Sequence, residues 1–135
     1  MIVDTSALLA LFDSDEPDHQ AVSSILQATA EPLVVSPYVV AELDYLVVSR
    51  LGVAAELAVL RELSSGAWDL PCFGAEDLAL AHTVVERYAD QSIGLADATN
   101  VVLAARYRTS DIATLDRRHF EVVRTMGGKR FMILP

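Results

Sequence analysis

The stretch MIVDTSALLALF, residues 1–12, decides how the rest of the chain is read. Three apolar residues form a short strand that stops at a carboxylate, Asp4. Two small hydroxyl residues, Thr5 and Ser6, follow, and an apolar helical run begins at once. A strand this short and wholly apolar belongs in the buried centre of a mainly parallel sheet, where both faces are covered. Asp4 then has two possible roles. It caps the helix that follows it, or it is the first ligand of a site at the carboxyl edge of the sheet.

The pattern of residues 1–12 recurs along the chain. Short apolar runs at 33–35, 68–70, 112–114 and 131–134 alternate with helix-length segments near 7–12, 17–28, 37–51, 53–63, 75–88 and 95–107. That alternation predicts an α/β fold: a three-layer α/β/α sandwich around a central, mainly parallel, five-stranded sheet. Ser36 and Pro37 read as an N-cap with proline at the first helical position, and Gly52 as the stop of that helix. In the helix from 75, Leu78, Ala81, Val85 and Tyr88 share one side and are expected to face the core. There is no repeat, low-complexity stretch or linker, so residues 1–135 are expected to form a single domain.

Hydrophobic residues make up 53% of the chain and the mean hydropathy is +0.35. No apolar run reaches the ~18 residues that span a bilayer. The excess predicts a buried parallel sheet plus an apolar surface for self-association or a partner, and no membrane role. With no leader-like segment and one cysteine, Cys72, the chain is expected to be cytoplasmic, with Cys72 acting as a small buried hydrophobe.

The net charge of −9 argues against a nucleic-acid partner until its distribution is considered. Residues 106–135 hold seven of the ten basic residues and three acids, a balance of +4, while residues 1–105 carry −13. A molecule polarised in this way can still meet phosphates at its basic end.

Four acids stand in unusual company. Asp4 ends an apolar strand. Glu42 borders the apolar stripe Val39, Leu43, Leu46 and Val47, where burial of its charge costs free energy with no cap to explain it. Asp97 lies in the first turn of a very apolar helix, and Asp116 follows a strand that ends at Thr114. Capping, the helix dipole and turn formation could account for Asp4, Asp97 and Asp116 one by one. If the first strand lies beside the one at 112–114, however, all four can meet at the carboxyl edge of the sheet. Clustered carboxylates raise one another's pKa. An oxygen-only set suits Mg²⁺ or Mn²⁺, which can activate water against a phosphodiester. Asp44 competes with Glu42, but two residues turn about 200° on a helix, so only one can face the site. Asn100 shares a face with Asp97 and either bonds a ligand or packs between helices. Asp111 is expected to cap or precede its strand.

The segments IVDTSALLALF (2–12), SPYVVAELDYLV (36–47), LADATNVVLAARY (95–107) and IATLDRRHF (112–120) together closely resemble the PIN domain, specifically the VapC-type toxins of bacterial toxin–antitoxin pairs. The likeness runs over essentially the whole chain, in order and spacing. It implies a Mg²⁺- or Mn²⁺-dependent endoribonuclease that cuts structured RNA (tRNA or rRNA) and arrests translation. It also implies a homodimer neutralised by a cognate antitoxin. By this resemblance Asp4, Glu42, Asp97 and Asp116 are the catalytic, metal-holding acids. Ser6 and Thr114 would orient ligands or waters around them, with Asn100 beside them.

Arg117 and Arg118 follow Asp116 and are placed either to meet RNA phosphate or to pair with a nearby acid; His119 is the weaker candidate. Thr5 reads as part of the first helical turn, and His19 and His82 as surface residues. Trp68 and the tyrosines read as core or interface, not as a base-stacking platform. The apolar helices around 8–12 and 47–60 are candidates for antitoxin contact. A competing class is a Mg-binding phosphohydrolase or receiver-like signalling domain. The phosphatase version wants a second Asp two residues after Asp4, where Ser6 stands. The receiver version is poorly served by Asp69 and Lys129.

Overall fold

The computed structural model describes residues Met1–Pro135. Strand β1 (Ile2–Val3) pairs in parallel with β2 (Asp111–Ala113), and β2 pairs in parallel with β3 (Met132–Leu134). Ile2 sits opposite Ile112, and Ile112 opposite Ile133. On the far side of β1, Val34 and then Asp69 join by one-residue parallel bridges. The Val3 N–H donates to the Val34 carbonyl at 2.9 Å, and the Asp69 N–H to the Leu33 carbonyl at 2.8 Å.

The sheet therefore has three strands rather than the five expected. The segments at 33–35 and 68–70 lie where they should but extend the ladder by one residue each. Ser36 and Pro37 turn the chain into a helix directly after Val35. Pro71 has no N–H with which to continue beyond Asp69. The spatial order 69–34–β1–β2–β3 leaves β1 central and puts the reversal of strand order between β1 and β2. That is the position where open α/β sheets bind ligands.

The helices are α1 (Thr5–Phe12), α2 (His19–Ala28), α3 (Pro37–Leu51), α4 (Val53–Leu63), α5 (Ala75–Arg87), α6 (Leu95–Arg106) and α7 (Arg117–Phe120). Ser36 caps α3 by accepting from the Tyr38 N–H at 3.2 Å. Gly52 ends it at φ +85°, a conformation other residues adopt at a cost. The four-residue α7 is too short to show a period and was not expected.

Alternate residues of the short strands serve two cores. Met1, Val3, Val35 and Ala113 pack with α1–α4, whereas Ile2, Val34 and Ile112 pack with α5 and α6. This period of two explains why the buried strand positions are all apolar, with Asp111 only at the half-buried start of β2. It also builds the three-layer sandwich that the alternation predicted. In α6 every residue from Ala98 to Ala104 is buried, so its polar members Thr99 and Asn100 must find partners inside. No helix is long and apolar enough to cross a membrane.

Two expectations fail here. Leu78 is 42% exposed; the buried positions of α5 are Ala81 and Val84, with Val85 and Tyr88 packed alongside. Leu78 lies in the first turn of α5 and stays partly in solvent. Cys72 is exposed, in the loop after the Asp69 bridge, where its carbonyl accepts from Arg106 at 2.8 Å.

Candidate active site

Asp4 leaves β1 at the N-cap of α1, yet its carboxylate accepts no hydrogen bond from the backbone N–H groups of that helix. It is held from the side instead. Asn100 of α6 donates to Oδ1 at 3.0 Å, while Ser6 and Thr114 donate to Oδ2 at 2.9 and 2.8 Å. Asp4 and Thr114 are buried, Asn100 completely so. Three donors on one buried carboxylate fix its rotamer and satisfy it without a helix cap. The Leu115 N–H donates to Ser6 Oγ at 2.9 Å and the Asp116 N–H to Thr114 Oγ1 at 3.0 Å, which ties the exits of β1 and β2 together.

The other three acids reach the same opening from separate helices. Asp97, in the first turn of α6, accepts from the Gly94 N–H at 3.2 Å, so the capping role also holds. Asp116 caps α7, accepting from the His119 N–H at 3.4 Å. Glu42 comes from α3. It is exposed, which corrects the expectation that its charge is buried against the apolar stripe. Its carboxylate is gripped by Thr5, whose Oγ1 donates to Oε2 at 2.5 Å. Asp4, Glu42, Asp97 and Asp116 line one cleft of about 390 Å³, with Arg50 and His119 on its walls. Asp44, its rival on α3, does not line the cleft.

The electrostatic consequence is clearest at Asp97. Burial, with the charges of Asp4 and Asp116 adding to it, pushes its carboxyl up to about 6, against the opposing pull of the Gly94 N–H and of His119. His119 Nδ1 lies 3.1 Å from both Asp97 Oδ2 and Asp116 Oδ2, aligned with neither as a hydrogen bond. The carbonyl oxygen of the Asn100 side chain is buried without a partner beside this cluster. A cleft with four carboxylates, one of them pushed up by burial and by its neighbours' charge, is a cleft that a cation would relieve. No three His, Cys, Asp or Glu side chains are gathered closely enough to hold an ion on protein atoms alone. The donors that line the cleft are carboxylate oxygens, the chemistry that suits a hard ion such as Mg²⁺.

Several features were missed in the sequence. Thr5, which the sequence places only in the first helical turn, is the partner of Glu42. His119 was given a weak phosphate role and sits between two of the acids. Arg50 lies two turns along α3 from Glu42, at the i+8 position of the same face; that spacing was the available signal. Its guanidinium is 3.8 Å from Glu16 and half exposed. Of the two arginines expected near RNA, Arg117 hydrogen-bonds the Pro135 carbonyl, and Arg118 lies 3.3 Å from His119 Nε2; both are exposed. Asp111 begins β2, as expected, at the edge away from the cleft. Trp68 packs against Phe12 with ring centres 6.4 Å apart, whereas Tyr45 is 70% exposed and so lies outside the core. His82 is exposed, but His19 is half-buried and its Nδ1 bonds the Ala10 carbonyl at 2.8 Å.

The PIN domain family matches residues 1–125. Over 135 residues, the whole length of both proteins, the chain is 63% identical to Ribonuclease VapC26 of Mycobacterium tuberculosis. Among solved structures it resembles VapC20 of the same organism, a toxin that cleaves the sarcin–ricin loop. The TM-score is 0.79 at 20% identity, over 85% of this chain and 88% of that one. A toxin–antitoxin complex from Klebsiella pneumoniae gives a TM-score of 0.70 at 17% identity, over 90% and 91%. At those identities the structural likeness speaks for the fold alone.

Proposed function

The chain belongs to the PIN-domain family, among its VapC-type members, and from that premise we propose that it is a Mg²⁺- or Mn²⁺-dependent endoribonuclease toxin. Its substrate is structured RNA, tRNA or rRNA, and its cutting arrests translation in the cytoplasm until a cognate antitoxin neutralises it. The observation that carries this reading is the cleft into which Asp4, Glu42, Asp97 and Asp116 open from four separate segments. Membership of this family also removes the phosphohydrolase and receiver alternatives, neither of which explains why Ser6, rather than an acid, faces Asp4.

Asp4, Glu42, Asp97 and Asp116 would hold the ion. When bound, it supplies a polarised water as nucleophile and neutralises charge on the phosphodiester. The protein's share of the work is orientation. Ser6, Thr114 and Asn100 lock Asp4 in one rotamer, and Thr5 aims Glu42 across from α1. His119 stands between Asp97 and Asp116, its Nδ1 3.1 Å from a carboxylate oxygen of each.

An antitoxin seat is offered by an apolar groove of about 470 Å³ between α1, α2 and α4, lined by Leu11, Phe12, Ala55, Ala58 and Val59. This overlaps the helices that the sequence marked for antitoxin contact. We take residues 1–135 as one PIN domain acting as a homodimer. The deciding experiment incubates the antitoxin-free protein with total RNA and Mg²⁺ or Mn²⁺ and maps the cut ends. Discrete cuts that vanish in chelator and in Asp4→Asn are expected. Absence of cuts, or cuts that persist under either condition, would overturn the nuclease assignment.

A further inference from the structure

An RNA-cleaving cleft lined by four carboxylates, on a chain of net charge −9, repels its own substrate, so affinity must come from elsewhere. The opposite edge of the sheet offers a source. A cavity of about 330 Å³ lies at the amino end of β2, lined by Arg108, Lys129, Thr109, Ser110 and Thr125 and by no acid. Neither Arg108 nor Lys129 has an acidic group within ion-pair distance, and both are exposed. Next to it, and sharing Thr125 and Met126, is a second small cavity lined by Arg87 and Arg124. The Arg124 guanidinium is fixed by the carbonyls of Glu121, Val122 and Val123, so the whole ridge is cationic and partly pre-set.

The backbone at Arg108 is the second observation. Helix α6 ends with the Thr109 N–H on the Ala104 carbonyl and the Arg108 N–H on the Ala105 carbonyl. In that motif the residue at the position of Arg108 is left-handed and is usually glycine. Arg108 adopts φ +53°, a strained conformation for a residue with a Cβ. A cation therefore stands where glycine would fit better, at the mouth of a cavity with no acid in it. Strain kept at one residue for no packing gain marks a position held for its side chain.

We propose that Arg108 and Lys129, with Ser110 and Thr109 supplying hydroxyl donors, form a phosphate-binding site that anchors the RNA backbone away from the catalytic cleft. The site rests on the reading of RNA as substrate. It contacts backbone and not bases, so it adds affinity without sequence preference. The site and the cleft lie at opposite ends of β2, so an RNA that fills both must extend past the cut site.

Arg108→Gly separates this role from a structural one, since glycine relieves the strain and cannot unfold the turn. The measurement is fluorescence anisotropy of a labelled RNA hairpin and of a single-stranded hexanucleotide, in chelator, with full-length protein and with Arg108→Gly/Lys129→Ala. The double variant should bind the hairpin about tenfold more weakly, with a log–log salt slope smaller by about one to two. Its melting temperature should be unchanged or higher, and the short hexanucleotide should lose less affinity than the hairpin. Unchanged hairpin affinity and slope, or a loss that tracks a lower melting temperature, would overturn the site. Millimolar inorganic phosphate should bring the wild type toward the level of the variant and leave the variant unchanged; an equal loss in both would assign the effect to ionic strength and overturn the site. Cleavage of the same hairpin with Mg²⁺ is scored separately. Arg108-dependent binding without cleavage leaves the anchor and removes the nuclease reading; cleavage with Arg108-independent binding does the reverse.

Discussion

The two ends of β2 carry the same local motif with opposite charge around it. At the amino end, Thr109 Oγ1 accepts from the Asp111 N–H at 3.1 Å; at the carboxyl end, Thr114 Oγ1 accepts from the Asp116 N–H at 3.0 Å. Thr109 is half-exposed and faces Arg108 and Lys129, whereas Thr114 is fully buried and donates to Asp4. One end keeps like charges in water, where they cost little and stay available. The other concentrates carboxylates out of water, and only a cation or a proton relieves them. The same turn chemistry is decoration at one edge and framework at the other because burial differs.

The largest contrast should appear when each threonine loses its hydroxyl. Thr114→Val strands the Asp116 N–H and removes a donor from Asp4, so it should cost about 2–3 kcal/mol in urea unfolding. Thr109→Val leaves an N–H that water can reach and should cost under ~1 kcal/mol. Equal losses would show that burial is not what separates the two ends.

The charge of Asp97 gives the next effect. Its folded-state pKa of about 6 lies above the 3.8 of an unperturbed aspartate. Between those values the native chain holds a proton that the unfolded chain has lost, so stability falls as pH rises through that window. Asp97→Asn should then stabilise the metal-free protein by about 1–3 kcal/mol at pH 7.5, and the gain should shrink toward pH 4. A gain independent of pH would assign the change to packing rather than to charge.

Thr5→Val should be milder for the fold, because Glu42 is exposed and water replaces the lost donor. It should cost under ~1 kcal/mol in stability but lower cleavage about tenfold by releasing the Glu42 carboxylate. Unaltered cleavage would remove Thr5 from the site. Smallest of all, Cys72→Ser in its exposed loop should move stability by no more than about 0.5 kcal/mol and leave cleavage unchanged.

Much of this contrast was legible in the sequence. A three-residue apolar strand closed by Asp4 announces a central strand, and the Ser36–Pro37 start and Gly52 stop bound α3 to the residue. The carboxylates were found because each lies in apolar company. What stayed hidden depends on geometry between elements. The segments around Val34 and Asp69 look like strands but pair through one residue, since the Ser36 cap and Pro71 cut them short. The length of α7 gives no period. Thr5 and His119 gain their meaning only when α1 faces α3 and α7 faces α6. The exposure of Cys72 and Glu42 depends on where the loop and helix end up, which residue type does not reveal. The left-handed turn at Arg108 is invisible because the residue that usually signals it, glycine, is missing.

The central claim is that the carboxyl edge is built for a divalent cation that the amino edge cannot hold. Calorimetric titration of Mn²⁺ into metal-free protein at pH 7.5 tests it most directly, with Asp97→Asn and Arg108→Gly in parallel. The account predicts saturable binding by the wild type and by Arg108→Gly, with a rise in melting temperature on saturation, and at least tenfold weaker binding by Asp97→Asn. No saturable heat in the wild type, or equal binding by Asp97→Asn, would contradict it.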